Sequence, residues 1–319
     1  MTLKALVTGG AGFLGSHMVD RLLAGGQQVR VLDHHLHGKG LSPETLRRVE
    51  AIESDITNAA AVDVSVHGCD AIIHCAAMVG MEAYTQQPAR TMEVEEIGLR
   101  NVCAAAVAHK VARLVFASSS AVYGQAGGDT ALDEASHVAP VSNYGVAKRF
   151  NELYLAAQHT EHRLKSASLR IFNIYGPRQD ERLVIPRFVR HALANEPIVI
   201  YGDGMQTRDF VYVDDVTAAA LTCAEKVEGA EIINACSGQE TSVRSLAERI
   251  VALTGSRSAI ELRESPPARD SFEVARCFGS RTRLVAMTGR STPTALDDGL
   301  RAVIAAARAG HAVERPHAR

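Results

Sequence analysis

Apolar residues in the first half of the chain follow two alternating rhythms. Short, nearly unbroken aliphatic runs at 3–8, 28–32, 49–52, 71–74, 113–117 and 166–172 predict strands buried on both faces. Between them, apolar positions three and four apart predict amphipathic helices over 12–24, 92–109 and 141–158. Strands alternating with helices predict an α/β fold with a doubly wound parallel sheet. After Asn173 the alternation loosens. Gly176-Pro177 marks a turn, 185–194 a short helix, 198–201 a short strand and 231–235 a late sheet strand. Ser242 is a good N-cap for a helix over 242–253. Beyond Ala307 the tail is polar and is expected to fray. The expected division is a sheet domain over 1–172, joined by sheet and helix segments from 210–238. The segments 173–209 and 239–319 then form a smaller C-terminal α/β lobe.

Composition narrows the class. The 319 residues are 46% hydrophobic and 22% charged, ordinary for a globular protein. A formal net charge of -2 gives no reason to expect nucleic-acid or membrane-surface binding. No apolar run is long enough to span a bilayer. The first strand is expected to begin at Leu3, so no signal peptide is expected. The six cysteines show no CxxC spacing and several lie in apolar stretches, so reduced, buried thiols and a cytoplasmic location are expected.

The chemistry starts at the first strand–helix turn. Gly9, Gly12 and Gly15, with Phe13 and Leu14 between the last two, follow an apolar strand and open a helix. Glycines there let the backbone approach a pyrophosphate, which the helix N-terminus binds. This predicts a Rossmann-type dinucleotide domain, with GxxGxxG in place of the commoner GxGxxG. Asp33 ends the second strand, where a carboxylate accepts hydrogen bonds from the adenosine ribose and repels a 2′-phosphate. His34 and His35 follow it rather than arginine, which favours NAD over NADP. His34, His35 and His37 read as a loop flanking adenosine, and no metal site is expected.

Downstream stands Tyr144-Gly145-Val146-Ala147-Lys148. Residues four apart on a helix share a face, so the phenol and the ammonium can reach one site. A nearby cation favours the phenolate and is expected to lower its pKa from about 10 towards neutrality. That describes a tyrosine general base beside a dinucleotide.

With these motifs stand TGGAGFLGS at 8–16, Asp55-Ile56, HCAA at 74–77, SSSAVYG at 118–124, RIFNIYGPR at 170–178 and the stretch from Tyr201 to Asp215. Together they resemble the extended short-chain dehydrogenase/reductase family, in its nucleotide-sugar epimerase/dehydratase branch that includes UDP-sugar 4-epimerases. The resemblance implies a retained NAD, with Tyr144 taking a proton from a sugar hydroxyl and Lys148 binding the nicotinamide ribose. It implies that Ser119, with Ser120 beside it, contacts the reacting sugar, that Asp55 and Ile56 flank the adenine, and that Ala76 and Ala77 line the cofactor channel. It assigns Asn173, Arg208 and Arg269 to the diphosphate of a nucleotide sugar, and a homodimer to the helices at 92–109 and 141–158.

The branch's dehydratases resemble STDEVYG where this chain has Ser120 and Ala121, and its decarboxylases tend to place a Glu two before the tyrosine of VYG. Serine and alanine cannot do carboxylate acid/base work, so the expected reaction is epimerisation, at C4, through a transient ketone. A nucleotide-sugar ketoreductase or dehydrogenase, a dehydratase of the same family, and a non-catalytic dinucleotide sensor are the alternatives. Three residues depart from the family pattern: Glu95 stands for the usual Asn, Leu99 for Thr, and Phe272 for an acid. The loop at 179–183 is short for the branch.

Overall fold

The computed structural model describes residues 3–37, 40–78, 80, 86–125, 130–264 and 274–313. Seven parallel strands form a Rossmann-type sheet. In chain order they are β1 (Lys4–Thr8), β2 (Gln28–Asp33), β3 (Glu50–Glu53), β4 (Ala71–His74), β5 (Arg113–Ser119), β6 (Lys165–Ile171) and, after a long excursion, β10 (Ala230–Ala235). Their spatial order is β10-β6-β5-β4-β1-β2-β3. The winding therefore reverses at β1, which pairs with β2 on one side and β4 on the other, Thr8 lying opposite both Leu32 and His74. A crevice forms at such a reversal, outside the carboxyl ends of the strands.

Helices cover both faces. On one, α1 (Phe13–Ala24) and α7 (Val213–Lys226) pack Met18, Val19, Leu22, Val216 and Ala220 against Val7, Val31 and Ile73. On the other lie α3 (Ala59–Val66), α4 (Pro88–Ala108) and α5 (Asn143–His162), which bury Val62, Val66, Leu99, Val102 and Leu155 against Leu6, Ile72 and Leu114. Apolar strands buried on both faces are what the unbroken aliphatic runs require.

The excursion between β6 and β10, with the segment after β10, builds a separate core. It contains β7 (Asn173–Tyr175), β8 (Ile198–Tyr201), β9 (Thr207–Tyr212), β11 (Glu240–Ser242), β12 (Ile260–Arg263) and β13 (Arg276–Cys277). These make a four-stranded sheet around β9 and a β8–β12 pair. Phe188, Val189, Ile200, Leu246, Ile250, Leu300 and Ile304 fill the lobe, supplied partly by α6 (Val184–Ala194), α8 (Val243–Thr254) and α10 (Leu296–Val313).

Several helix ends differ from the sequence expectation. α4 begins at Pro88 rather than 92, because proline is tolerated where the helix's first N–H has no partner anyway. α5 begins after Ser142, whose hydroxyl accepts the Gly145 N–H at 3.1 Å. The polar tail past Ala307 does not fray at once but continues α10 to Val313, since its alanines and arginine are strong helix formers. All six cysteines are free thiols. Among the described residues no helix is long and apolar enough to cross a membrane.

Candidate active site

A cavity of about 750 Å³ opens at the winding reversal. Its floor is the glycine turn. Gly9 has φ +66°, and a Cβ there would meet the Ala76 backbone nitrogen at 2.7 Å. A Cβ on Gly15 would lie 2.0 Å from the Gly9 carbonyl oxygen, so only glycine allows the turn to close. Gly12 caps α1 without a side-chain hydrogen bond, and the first turn carries no acid. Its leading N–H groups, at Phe13, Leu14 and Gly15, thus face the cavity with the positive end of the helix dipole, a fitting cradle for a pyrophosphate.

Asp33 lines the same cavity. Its Oδ2 accepts the Ala11 N–H at 2.9 Å and its Oδ1 the His35 N–H at 3.1 Å, which fixes the carboxylate at the strand end. His34, largely exposed, contacts Asp33 through its ring at 3.3 Å. Among the described residues no group of three or more His, Cys, Asp or Glu side chains could hold a metal ion. Asp55, Ile56, Ala76 and Ala77 also line the cavity. Burial pushes the Asp55 carboxyl up, but hydrogen bonds from Thr57 and the Arg90 guanidinium outweigh it and hold the group below its usual range. Arg90 lines the cavity as well. Sequence reasoning missed it, because an arginine in the first turn of a helix carries no signal of a partner on another element.

Ser119, Tyr144 and Lys148 meet at the far end of the cavity. Ser119 ends β5 and caps a 3-10 turn over Ser120–Tyr123, its Oγ accepting the Ala121 N–H at 3.1 Å. It is also hydrogen-bonded to Tyr144. Lys148 Nζ sits 5.3 Å from the centre of the Tyr144 ring and 4.7 Å from that of Phe116. The expected lowering of the Tyr144 pKa is not found. Burial pushes the phenol above its ordinary value, the Glu95 carboxylate adds to the rise, and the Ser119 hydrogen bond offsets only part of it. Lys148 itself has a buried partner: its Nζ lies 2.9 Å from Glu95 Oε2, with both side chains essentially inaccessible. Next to them, burial and the Lys148 cation push the His74 imidazole down to about 3, and burial takes the Cys75 thiol up to about 12.

A second buried pair lies one turn along α5. Glu152 accepts four hydrogen bonds: from Arg170 Nε and Nη2, both at 2.9 Å, from Ser118 Oγ at 2.7 Å and from Arg149 Nη1 at 3.0 Å. The residues expected at the substrate are more scattered. Ser120 sits in the 3-10 turn and bonds the Cys277 thiol. Asn173 is exposed on β7. Arg208, on β9, donates through Nη1 to the carbonyls of Thr207 at 2.7 Å and Val274 at 2.6 Å. None of these three is among the cavity-lining residues, whereas Gln179, Asp180, Arg182 and Leu183 are. Arg269, like Phe272, lies outside the described residues.

A doubly wound sheet with a phosphate cradle, an acidic strand end and a Tyr–Lys pair at its crevice defines a dinucleotide-dependent enzyme fold of the short-chain dehydrogenase/reductase type. Residues 5–236 match the NAD dependent epimerase/dehydratase family, and the chain belongs to it. It is 34% identical over 268 residues to a UDP-N-acetyl-alpha-D-glucosaminuronate decarboxylase of Bacillus cytotoxicus, covering 82% of this chain and 83% of that one. It is 35% identical over 248 residues to a putative UDP-glucose 4-epimerase of Methanocaldococcus jannaschii, 76% and 79% being covered. The UDP-glucose 4-epimerase of Thermotoga maritima, solved with UDP-glucose, superposes with a TM-score of 0.89 at 30% identity, covering 97% of this chain and 100% of that one. The cofactor is NAD.

Proposed function

We propose that the chain is an NAD-dependent nucleotide-sugar epimerase acting on a UDP-sugar at C4. Tyr144 takes the proton of the sugar hydroxyl, Ser119 steadies the sugar oxygen, and Lys148 supports the phenolate. Bound NAD would supply the acceptor for the sugar's hydride and the source of its return to the other face of the ketone. The observation that carries the reading is the 3-10 turn beside Tyr144. It presents Ser120 and Ala121, so neither position offers the carboxylate that elimination of water or decarboxylation draws on in the branch. Gly9–Gly15 hold the pyrophosphate and Asp33 the adenosine ribose, with Asp55 and Ile56 at the adenine.

The test is incubation of the purified protein with UDP-glucose and UDP-N-acetylglucosamine carrying deuterium at C4. The expected product is the C4 epimer with the label retained, because the hydride stays on the bound cofactor. A product lighter by water refutes the epimerase reading.

The same reading includes a homodimer. Ile97 on α4 and Val146, Phe150 and Leu153 on α5 are large apolar side chains left exposed on adjacent helices. A second copy would cover them as a four-helix layer. A monomer mass by light scattering at micromolar concentration would exclude it.

A further inference from the structure

Glu95 does not line the cavity, yet it reaches the group that does the chemistry there. It lies on α4 with 0% exposure, behind Lys148. Taking two charges out of water costs several kcal/mol per ion, and the cost is recovered only when good geometry and further hydrogen bonds satisfy both partners. Glu152 shows this chain doing so. Glu95 is treated differently. Its Oε2 contacts Lys148 Nζ at 2.9 Å, but among the described residues neither carboxylate oxygen has an aligned hydrogen-bond partner. Two neighbours share the condition: His74 Nε2, whose ring stacks on Phe116, and the Oδ1 of Asn151, whose Nδ2 donates to the Glu95 carbonyl at 3.1 Å. A pair left this incomplete is weak evidence for stability and calls for another explanation.

The geometry supplies one. Lys148 is shared between two groups of opposite use, the Glu95 carboxylate behind it and the Tyr144 phenol at the cavity. We propose that Glu95 is a positioning residue for the Tyr144 base. From behind Lys148 it holds back part of the ammonium's charge, so that the Tyr144 proton leaves at higher pH than Lys148 alone would allow. The proposal rests on the reading of Tyr144 as the base.

The titratable neighbours leave few other sources for such an effect. Lys148 and Tyr144 face Glu95 from α5, and His74 and Cys75 face Lys148 from the end of β4. Glu152 is committed to its arginines, and Asp55, beyond β3, to Arg90. On α4 itself, Glu93 pairs with Arg90 and Glu96 with Arg100 at the surface.

Burial raises the Glu95 carboxyl above its usual range, the Lys148 ammonium offsetting only part of the rise. Glu95→Gln keeps the shape and removes the charge the group carries above that raised value. The rate of reduction of bound NAD by nucleotide sugar, followed by the absorbance of reduced nicotinamide across pH, is expected to rise at a pH lower by about one unit or more than in the parent. A rising limb that stays in place, or moves to higher pH, overturns the proposal. Unmoved is also the result if Glu95 already carries a proton. A loss of melting temperature alone, with the limb unmoved, assigns Glu95 a purely structural role.

A measurement without substrate separates this from the function reading. The ultraviolet titration of tyrosinate, taken as the difference between each protein and its Tyr144→Phe derivative, is expected to show Tyr144 ionising at lower pH in the Glu95→Gln background. The same step in both backgrounds rejects the role of Glu95. Failure of every nucleotide sugar to reduce the cofactor rejects the function instead and leaves this titration to decide.

Discussion

Glu152–Arg170 and Glu95–Lys148 are both buried acid–base pairs anchored on α5, one turn apart, and they are built to different standards. Glu152 receives hydrogen bonds on both oxygens, two of them from the planar fork of one guanidinium, which in turn lies 4.7 Å over the Tyr123 ring. Among the described residues Glu95 meets a single ammonium out of hydrogen-bond alignment, beside other polar atoms that lack partners there. Arginine locks its partner in a fixed geometry, while lysine is a compact charge on a flexible stem that can answer to more than one acceptor. The first pair ties β5, β6 and α5 together. The second sits beside Tyr144, the proposed base. Complete satisfaction marks the scaffold here, and incomplete satisfaction marks the chemistry.

The largest test of this contrast is on the chemical side. Tyr144→Phe should cut turnover by about two to four orders of magnitude, the usual worth of a general base, while melting at the parent's temperature. Steady-state kinetics beside a thermal scan checks both halves. On the scaffold side, Glu152→Ala leaves Arg170 buried without its partner. Denaturant unfolding should show about 3–5 kcal/mol lost. If Lys148→Met costs as much stability as Glu152→Ala, the distinction between the two pairs fails.

His74 offers a smaller and pH-resolved handle. Its folded value is pushed down to about 3 from an ordinary 6.5, so between those limits the unfolded chain takes a proton that the folded chain refuses. Stability is therefore full above about pH 6.5 and falls as pH drops, by at most about 1.4 kcal/mol per pH unit from this group. His74→Asn should flatten that slope in unfolding experiments run from neutral to acid pH. An unchanged slope would place the acid sensitivity elsewhere.

Asp33 stands between the two standards, fixed by two backbone N–H groups yet open to the cavity. Asp33→Ala is expected to weaken NAD binding by about tenfold, the scale of one or two charge-assisted hydrogen bonds. Calorimetric titration showing unchanged affinity, or a native preference for NADP, would remove Asp33 from the ribose.

Much of the sheet and of the cofactor end was legible because its signals are local. The aliphatic runs, the glycine spacing, the acid closing β2 and the helical Tyr144–Lys148 spacing are all read within one or two elements. What stayed hidden depends on residues far apart in the chain. Glu95 could be marked as unusual, but that its partner is Lys148 follows only from packing α4 against α5. Burial is the main reason the phenol is raised rather than lowered, and the Glu95 carboxylate adds to it. Arg208 reads as a ready cation until the carbonyl of Val274 is placed beside it by the pairing of β9 with β13. Arg90 is likewise drawn to the cavity by Asp55, from a different part of the sheet. The tail of α10 was misjudged for a local reason, polarity being weighed above alanine's helix propensity.

The return of the chain to the sheet has a consequence for biosynthesis. β10 pairs along β6 from Ala230↔Ser166 to Ala235↔Ile171, after the strands of the small lobe from β7 to β9 have been made. Until β10 leaves the ribosome, β6 is the border of an unfinished sheet. It presents a row of open amides and carbonyls flanked by Ala167, Leu169 and Ile171, side chains that are buried in the finished protein. Such a border invites pairing with another nascent chain. A polypeptide stopped after Ile171 should therefore aggregate rather than form a free-standing nucleotide domain, and the vulnerable interval during translation lasts as long as the ribosome takes to pass from β6 to β10.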